Sequence, residues 1–349
     1  MDVYKKADQG IFMEKQNKVI MMDHGSGGFR SDQLIREHIL PVIGNSVLDR
    51  LGDGAVLNVQ GTKLAFTTDS YVVDPIFFPG GSIGDLAVNG TVNDLSMCGA
   101  VPLYLSCALI MEEGFPLADL DRILRDMAKA AARANVQIVT GDTKVVARGA
   151  ADKIFITTSG IGVITGSPFD KRGIEPGDKI IVSGTMADHG IAILTQRENM
   201  MVSADIQSDT APLNDLVAQM MECHASIKLL RDPTRGGLAT ILNEIATNSG
   251  LSIRVDETQI PVKKDVTAMC ALLGIDPLYV ANEGKLVAVV AGRDADVLVE
   301  EMRNHELGGN AAVVGEVVEP GLSAVTMRTR IGGDRIIPML TGEQLPRIC

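Results

Sequence analysis

Six acidic residues stand beside turn-forming residues or at the ends of apolar stretches. They are Asp53 in LGDGAV, Asp69 in FTTDS, Asp94 in VNDLS, Asp142 in TGDTK, Asp232 in RDPTRGG and Glu283 in ANEGK. A single acid at a turn is ordinarily an Asx-turn or a helix cap. That explanation covers the recurrence less well, because the glycines beside these acids let a ligand approach the backbone. Magnesium takes oxygen ligands, usually a few carboxylates together with substrate phosphates. The set points to a magnesium–nucleotide site.

The stretch SIGDLAVNGTVNDLSMCGA carries a second signal. Read as a helix, it places Asp85, Asn89 and Asn93 in one stripe among apolar residues. A solvated helix face normally carries Lys and Glu, and this one has neither, so the stripe is expected to line the nucleotide site. Glycine-rich loops occur at His24–Gly28, Pro79–Gly81 and Arg235–Gly237. The last opens a helix, whose free amides together with Arg235 suit an anion. Neither G-x-x-x-x-G-K-[ST] nor a G-x-G-x-x-G after a strand is present, so the P-loop and Rossmann arrangements are excluded. The absence of H-E-x-x-H and G-x-S-x-G removes common zinc-protease and serine-hydrolase mechanisms.

The elements that position these residues divide in two. Leu34, Ile35, His38 and Ile39 have helical spacing that stops before Pro41. A longer helix opens at Pro116 and runs to about Asn135. Strands are predicted over Leu64–Thr68 and Ile154–Ile164. The Gly- and Pro-rich stretch Thr165–Gly177 marks a boundary. Beyond it come a strand at Lys179–Ser183 and a helix carrying Leu213, Leu216, Val217, Met220 and Met221. A second helix then ends at Gly250, and strands follow at Leu286–Ala291, Ala312–Val318 and Ser323–Met327. Helices and antiparallel strands mix in both halves, which predicts two α+β domains. The segment after Pro338, MLTGEQLPRIC, has no periodicity and is expected to be a mobile tail.

With 32 basic and 44 acidic residues among 349, the chain has a net charge of −12. That charge gives no electrostatic hold on a phosphate backbone, and Trp is absent, so nucleic-acid binding is not expected. No continuous apolar stretch approaches the ~20 residues of a membrane helix, and the first residues have no signal-peptide core. A cytoplasmic protein is expected. The five cysteines include no C-x-x-C pair. Cys98, Cys107, Cys223 and Cys270 lie among apolar neighbours and read as inert. Cys349 ends the chain, where a thiol is free to react.

The order HGSGG, LGDGAV, FTTDS, NGTVNDLSMCGA, TGDTKVV, DPTRGGL, NEGKL and terminal PRIC resembles the HypE family of hydrogenase maturation factors, the carbamoyl dehydratases. The similarity runs from about Met22 to Cys349. FTTD, ND and GDT are shared more widely, with the aminoimidazole ribonucleotide synthetase (PurM-like) superfamily. The resemblance implies a two-domain PurM-like ATPase fold. It divides the chain into an N-terminal extension (1–20), an ATP-binding and dimerisation domain (21–166), a C-terminal α/β sandwich (167–337) and the tail (338–349). It also implies a homodimer whose N-terminal domains share a β-barrel, with ATP near the interface.

In that family a carbamoyl group is placed on the terminal cysteine by HypF. ATP then drives dehydration to a thiocyanate, and the cyanide goes to iron held by a HypC–HypD complex. Carried over, Cys349 is the carrier, and Lys144 and Glu283 act on the thiocarbamate. Asp53, Asp69, Asp94 and Asp142 match metal and nucleotide motifs, with Asp85, Asn89, Asn93, Asp232 and Arg235 as further nucleotide contacts. ATP and Mg2+ are the implied cofactors. A selenophosphate synthetase is the nearest alternative, but its N-terminal loop carries a reactive Cys or Sec, and HGSGG has none. An ATP-binding scaffold without catalysis is the other alternative, against which Cys349, Lys144 and Glu283 speak.

Overall fold

The computed structural model describes residues 19–166, 169, 173–198, 200, 205–319, 321, 324–342 and 348. The N-terminal extension before residue 19 and the terminal Cys349 lie outside them. The first helical segment consists of α1 (Phe29–Leu34), a π turn (Ile35–Ile39) and α2 (Leu40–Ile43). The sequence pattern stops before Pro41, but the helix continues past it. The wider π turn has no need of the N–H that proline lacks, and Pro41 then falls in the first turn of α2.

The first sheet is built from β1 (Ala55–Val59), β2 (Thr62–Tyr71), β5 (Val101–Glu112), β6 (Gln137–Val146) and β7 (Ile154–Val163), with the short hairpin β3 (Phe77–Phe78) and β4 (Gly81–Ser82) beside it. Its spatial order is β1-β2-β7-β5-β6. Only β5 and β6 run parallel, and a parallel pair requires a crossover, here α4 (Leu117–Arg133). Strict alternation along β7 turns Ile154, Ile156 and Thr158 inward, against the face that α3 (Ile83–Met97) covers. Leu86, Ile123, Met127 and Leu105 join the two isoleucines in one buried cluster. The other face is bare and apolar, with Phe66 and Tyr104 each 46% exposed and Ile110 40% exposed. Within one chain this sheet is open, and its edge strand β6 is exposed along nearly its whole length.

The second sheet has seven strands: β8 (Lys179–Val182), β9 (Ile227–Arg231), β10 (Ser252–Asp256), β11 (Val287–Val290), β12 (Ala312–Val318), β13 (Val325–Arg328) and β14 (Asp334–Ile337). Its order is β14-β13-β10-β12-β8-β11-β9, antiparallel except where β10 meets β13. Every residue of β11 is buried, because helices cover both faces. Ile180, Val182, Val287 and Val289 face α7 (Gly237–Ser249). Ile181, Ala288 and Val290 face α6 (Asn214–Glu222) and α9 (Ala295–Arg303). Two further helices, α5 (Asp188–Arg197) and α8 (Lys264–Leu273), pack on each other beside the sheet. No helix among the described residues is long and apolar enough to cross a membrane.

The described part of the tail is anchored, against the expectation of mobility from its lack of periodicity. The Pro338 carbonyl accepts a hydrogen bond from Tyr279 Oη at 2.8 Å, and the Leu340 carbonyl accepts from Phe29 N at 2.9 Å. Ile348 is only 7% exposed. These bonds join residues far apart in sequence, and no local pattern encodes them.

Candidate functional site

A cleft of about 270 Å³ opens between the two sheets, and it gathers Asp53, Asp69, Asp94, Asp232, Arg235 and Glu283. Each arrives on a different element. Asp53 precedes β1, Asp69 lies near the end of β2, and Asp94 sits on α3 one turn before its end. Asp232 follows β9 directly, and Arg235 precedes α7. The start of α7 needs glycine: Gly236 and Gly237 have φ of +76° and +59°, and a Cβ on Gly236 would lie 2.2 Å from Thr240 Oγ1. The glycine-rich loop near the N-terminus closes over this point. A Cβ on Gly27 would meet Arg235 Cβ at 2.7 Å, and Arg235 Nη1 donates to the Gly25 carbonyl at 3.3 Å.

Three of the acids form a tight group. Asp53, Asp94 and Asp232 each offer a carboxylate oxygen, and these oxygens lie within 4.8 Å of one another. Like charges at that separation resist ionisation together. Burial, then Asp232, Asp53 and Asp69, hold the Asp94 carboxyl well above the usual carboxylate range. Burial and Asp53 push Asp232 up to about 8. Burial raises Asp69, with Arg235 opposing. Glu283 is 3% exposed and is raised well above its ordinary value by burial, then by Asp232, Asp69 and Asp209. Its Oε1 is buried with no hydrogen-bond partner. An all-oxygen group of this kind suits a hard divalent cation.

The remaining contacts orient the acids. Thr67 Oγ1 donates to Asp94 Oδ2 at 2.7 Å. Arg231 brings Nε to 2.9 Å from Asp53 Oδ1 and donates from Nη2 to Glu244 Oε2 at 2.7 Å. The Glu283 amide donates to Asp209 Oδ1 at 3.0 Å, and Lys285 Nζ stands 3.2 Å from Asp209 Oδ2. Beyond Asp53, Arg231 and Glu244 the cleft continues into an apolar cavity of about 190 Å³. Val56, Met97, Phe169, Ile174, Leu229 and Ile245 line it, with Asn248 and Ser249 also on its wall. Cys98 borders this cavity, and burial followed by Asp53 and Asp94 pushes its thiol up to about 12. Cys98, Cys107, Cys223 and Cys270 are all free, and burial raises Cys270 to about 11.

The polar stripe of α3 behaves differently from its sequence reading. Asp85 is a helix cap: its Oδ2 accepts from Ser82 N at 2.8 Å while Ser82 Oγ accepts from Gly84 N at 3.2 Å. Asn93 pins the domains together, donating to the Ala211 carbonyl at 3.1 Å and accepting from Leu213 N at 2.8 Å. Asn89 Nδ2 donates to Thr210 Oγ1 at 3.1 Å. Asn89 and Asn93 face the second domain, and none of the three is among the residues that line the cleft. The face of α3 that reaches the cleft is the one bearing Gly90 and Asp94.

Asp142 and Lys144 do not join the cleft of their own chain. Both are exposed on β6, two residues apart on one face, with Lys144 Nζ 2.6 Å from Asp142 Oδ2. The three-acid group contains Asp232 in place of Asp142, and Asp69 lines the cleft outside that group. Sequence reasoning passed over Arg231 and Glu244. Arg231 adjoins Asp232 in sequence, which is the signal available for it. Glu244 is the single acid on α7.

The two sheets match family models in the same order. Residues 51–164 match the N-terminal domain, and residues 175–328 the C-terminal domain, of the AIR synthase related proteins. A cleft rich in carboxylates between two such domains places the molecule in that class. More narrowly, a carbamoyl dehydratase HypE from Cupriavidus necator is 54% identical over 332 residues, 95% of each chain. A HypE crystallised in complex with ATP superposes with a TM-score of 0.80 at 49% identity, covering 95% of this chain and all of that one (100%). The HypE–HypF complex structure gives a TM-score of 0.83 at 47% identity, covering 88% and 99%. The chain belongs to the HypE family of carbamoyl dehydratases.

Proposed function

We propose that this enzyme uses ATP to dehydrate an S-carbamoyl group on its own Cys349 to a thiocyanate. The cyanide then becomes a ligand of the iron of NiFe hydrogenase. The observation that carries the reading is the meeting of the Asp53–Asp94–Asp232 group with a buried Glu283 whose Oε1 is unsatisfied. Asp53, Asp94 and Asp232 are the residues that would hold Mg2+, which neutralises phosphate charge when bound. The neighbouring apolar cavity suits a purine base, with Asn248 and Ser249 available to its polar edge. The relative crystallised with ATP supports the nucleotide, and the relative in complex with HypF supports a carbamoyltransferase as the partner that loads Cys349. Delivery of the cyanide to a HypC–HypD complex follows from the family resemblance, and the free cysteines fit the reducing cytoplasm.

The chemistry needs a leaving group and a base. The carbamoyl oxygen attacks the γ-phosphorus, ADP departs, and one N–H proton is lost, which leaves an O-phosphorylated imidate on sulfur. The C–O bond then breaks, phosphate leaves with both electrons, and the second N–H proton is removed as the C≡N bond completes. Glu283 is the base. A carboxylate whose proton affinity is raised by burial and neighbouring acids accepts a proton more readily than an ordinary one, and its Oε1, without a hydrogen-bond partner, gives that proton a place to go.

The bare face of the first sheet supports a homodimer. Apolar residues such as Phe66, Tyr104 and Ile110 lie uncovered on it, beside the unpaired edge of β6. A second copy placed there would complete the barrel and bring Asp142 and Lys144 to the subunit interface. Lys144 would there steady the charge that develops on the thiocarbamate.

The Glu283→Gln variant tests the assignment. It should gain the carbamoyl mass on incubation with the carbamoyltransferase and carbamoyl phosphate, then stall, since its amide cannot take the proton. Dehydration at the wild-type rate would remove Glu283 from the mechanism.

A further inference from the structure

Outside the cleft, one buried group has its two polar contacts divided between the fold and the tail. His189, at the start of α5, has no exposed surface. Its Nε2 lies 2.5 Å from the carbonyl oxygen of Ile348, the penultimate residue. Its Nδ1 lies 2.8 Å from Ser208 Oγ. A carbonyl only accepts, so Nε2 carries the proton and Nδ1 accepts from the Ser208 hydroxyl. Ser208 Oγ in turn accepts from Thr210 N at 3.1 Å. Burial holds the imidazole below its ordinary pKa, so the ring is neutral and this directionality is kept.

The Ile348 side chain belongs to the same buried apolar cluster as Phe78, Ile193 and Ala281. The His189 ring stands edge-on to Phe78, with centroids 5.6 Å apart and an interplanar angle of 87°. The surroundings come from both domains, because Ser208 N donates to the Pro79 carbonyl at 2.8 Å. They are also tied to Glu283 from two sides. Ala187 N donates to Asn282 Oδ1 at 2.7 Å, and Glu283 N donates to Asp209 Oδ1 at 3.0 Å. The residues that flank His189 and follow Ser208 therefore fix the loop that carries the catalytic carboxylate. Cys349 is one peptide unit, about 3.8 Å from Cα to Cα, beyond the residue held here.

We propose that His189 is a positioning residue. With the apolar pocket around Ile348 it forms a seat for the penultimate residue of the chain, which fixes where the terminal cysteine stands relative to Glu283. The seat reads two features of the tail: a branched aliphatic side chain, and the carbonyl that follows it. The inference rests on the reading of Cys349 as carrier, but the seat itself has a readout that does not.

That readout is peptide-resolved alkylation of Cys349 by iodoacetamide, in the full-length protein with Mg-ATP. Loss of one buried hydrogen bond, or of the buried methyls of Ile348, should expose the cysteine about tenfold faster in His189→Ala and Ile348→Ala. His189→Gln retains a donor near the Nε2 position and Ile348→Val retains the branched side chain. Both should label within about threefold of wild type, since most of the contact survives. Ile348→Ala lies at the chain end and leaves the body of the fold untouched, so a misfolded His189→Ala would not protect the idea. Equal labelling in all five proteins overturns the seat.

A second arm measures single-turnover dehydration of carbamoyl-loaded protein. His189→Ala and Ile348→Ala should be about tenfold slower with ATP affinity unchanged, the split expected when only orientation is lost. Unchanged dehydration, or slow dehydration accompanied by lost ATP affinity, would overturn the positioning role. If wild type never accepts a carbamoyl group while the labelling pattern holds, the carrier reading fails and the seat stands.

Discussion

The charge on Asp232 links stability to pH and to metal in a way that a single substitution exposes. In the folded protein its carboxyl is pushed from an ordinary 3.8 up to about 8, chiefly by burial and then by Asp53. An acid whose folded pKa is raised is protonated in the native state while the unfolded chain has already released the proton. Between about pH 4 and about pH 8 the native state therefore binds more protons, and stability falls as pH rises. Each pH unit in that window costs up to ~1.4 kcal/mol, so the ceiling from about pH 5 to about pH 7.5 is ~3 kcal/mol. Asp53 and Asp94 share the repulsion, so Asp232 alone accounts for about half of it, ~1–2 kcal/mol. That corresponds to a fall in melting temperature of about 3–6 °C for a domain of this size. The assay is thermal unfolding of wild type and Asp232→Asn in EDTA and in excess magnesium. In EDTA the wild type should lose stability as pH rises, and the variant should lose visibly less. In magnesium the wild-type slope should flatten, because a bound cation keeps the carboxylates ionised. Parallel slopes for the two proteins in EDTA, or a wild-type slope that magnesium leaves untouched, would refute the reasoning.

Two further outcomes follow from the same geometry. Asp85→Ala removes the reciprocal cap at the start of α3 and should cost ~1 kcal/mol in chemical denaturation, while calorimetry finds the ATP affinity within about twofold of wild type. A large loss of ATP affinity would return Asp85 to the nucleotide site. In light scattering the protein should run as a dimer of its 37.1 kDa chain at micromolar concentration. A charged residue on the bare sheet face, as in Phe66→Asp, should dissociate it, and an unaffected dimer would move the interface elsewhere.

The acids were the legible part of the site. Asp53, Asp69, Asp94, Asp232 and Glu283 stand at turns and element ends, and the cleft gathers all five. Local spacing does not say which of two surfaces a polar stripe will meet. Asp85, Asn89 and Asn93 looked like a ligand wall, yet Asn89 and Asn93 bond to residues 118 to 190 positions away, and Asp85 satisfies its own helix end. The helices with strong apolar periodicity were found within a few residues of their ends. Strands β5 and β6 were not, because β6 is exposed along nearly its whole length and has no buried face to impose alternation. His189 went unnoticed for a related reason. It is a lone histidine in an apolar stretch, and its partner Ile348 is 159 positions away.

The central claim is that the terminal thiol carries the group that ATP dehydrates. Intact-mass measurement tests it most directly, on wild type and Cys349→Ala incubated with the carbamoyltransferase and carbamoyl phosphate, with and without ATP in the second stage. Wild type should gain one carbamoyl group and then, only with ATP, lose one water (~18 Da), as an activated oxygen leaving group requires. Cys349→Ala should bind ATP normally and never gain the group, because no other thiol has the same reactivity. Carbamoylation of Cys349→Ala, or loss of water from wild type without ATP, would contradict the account.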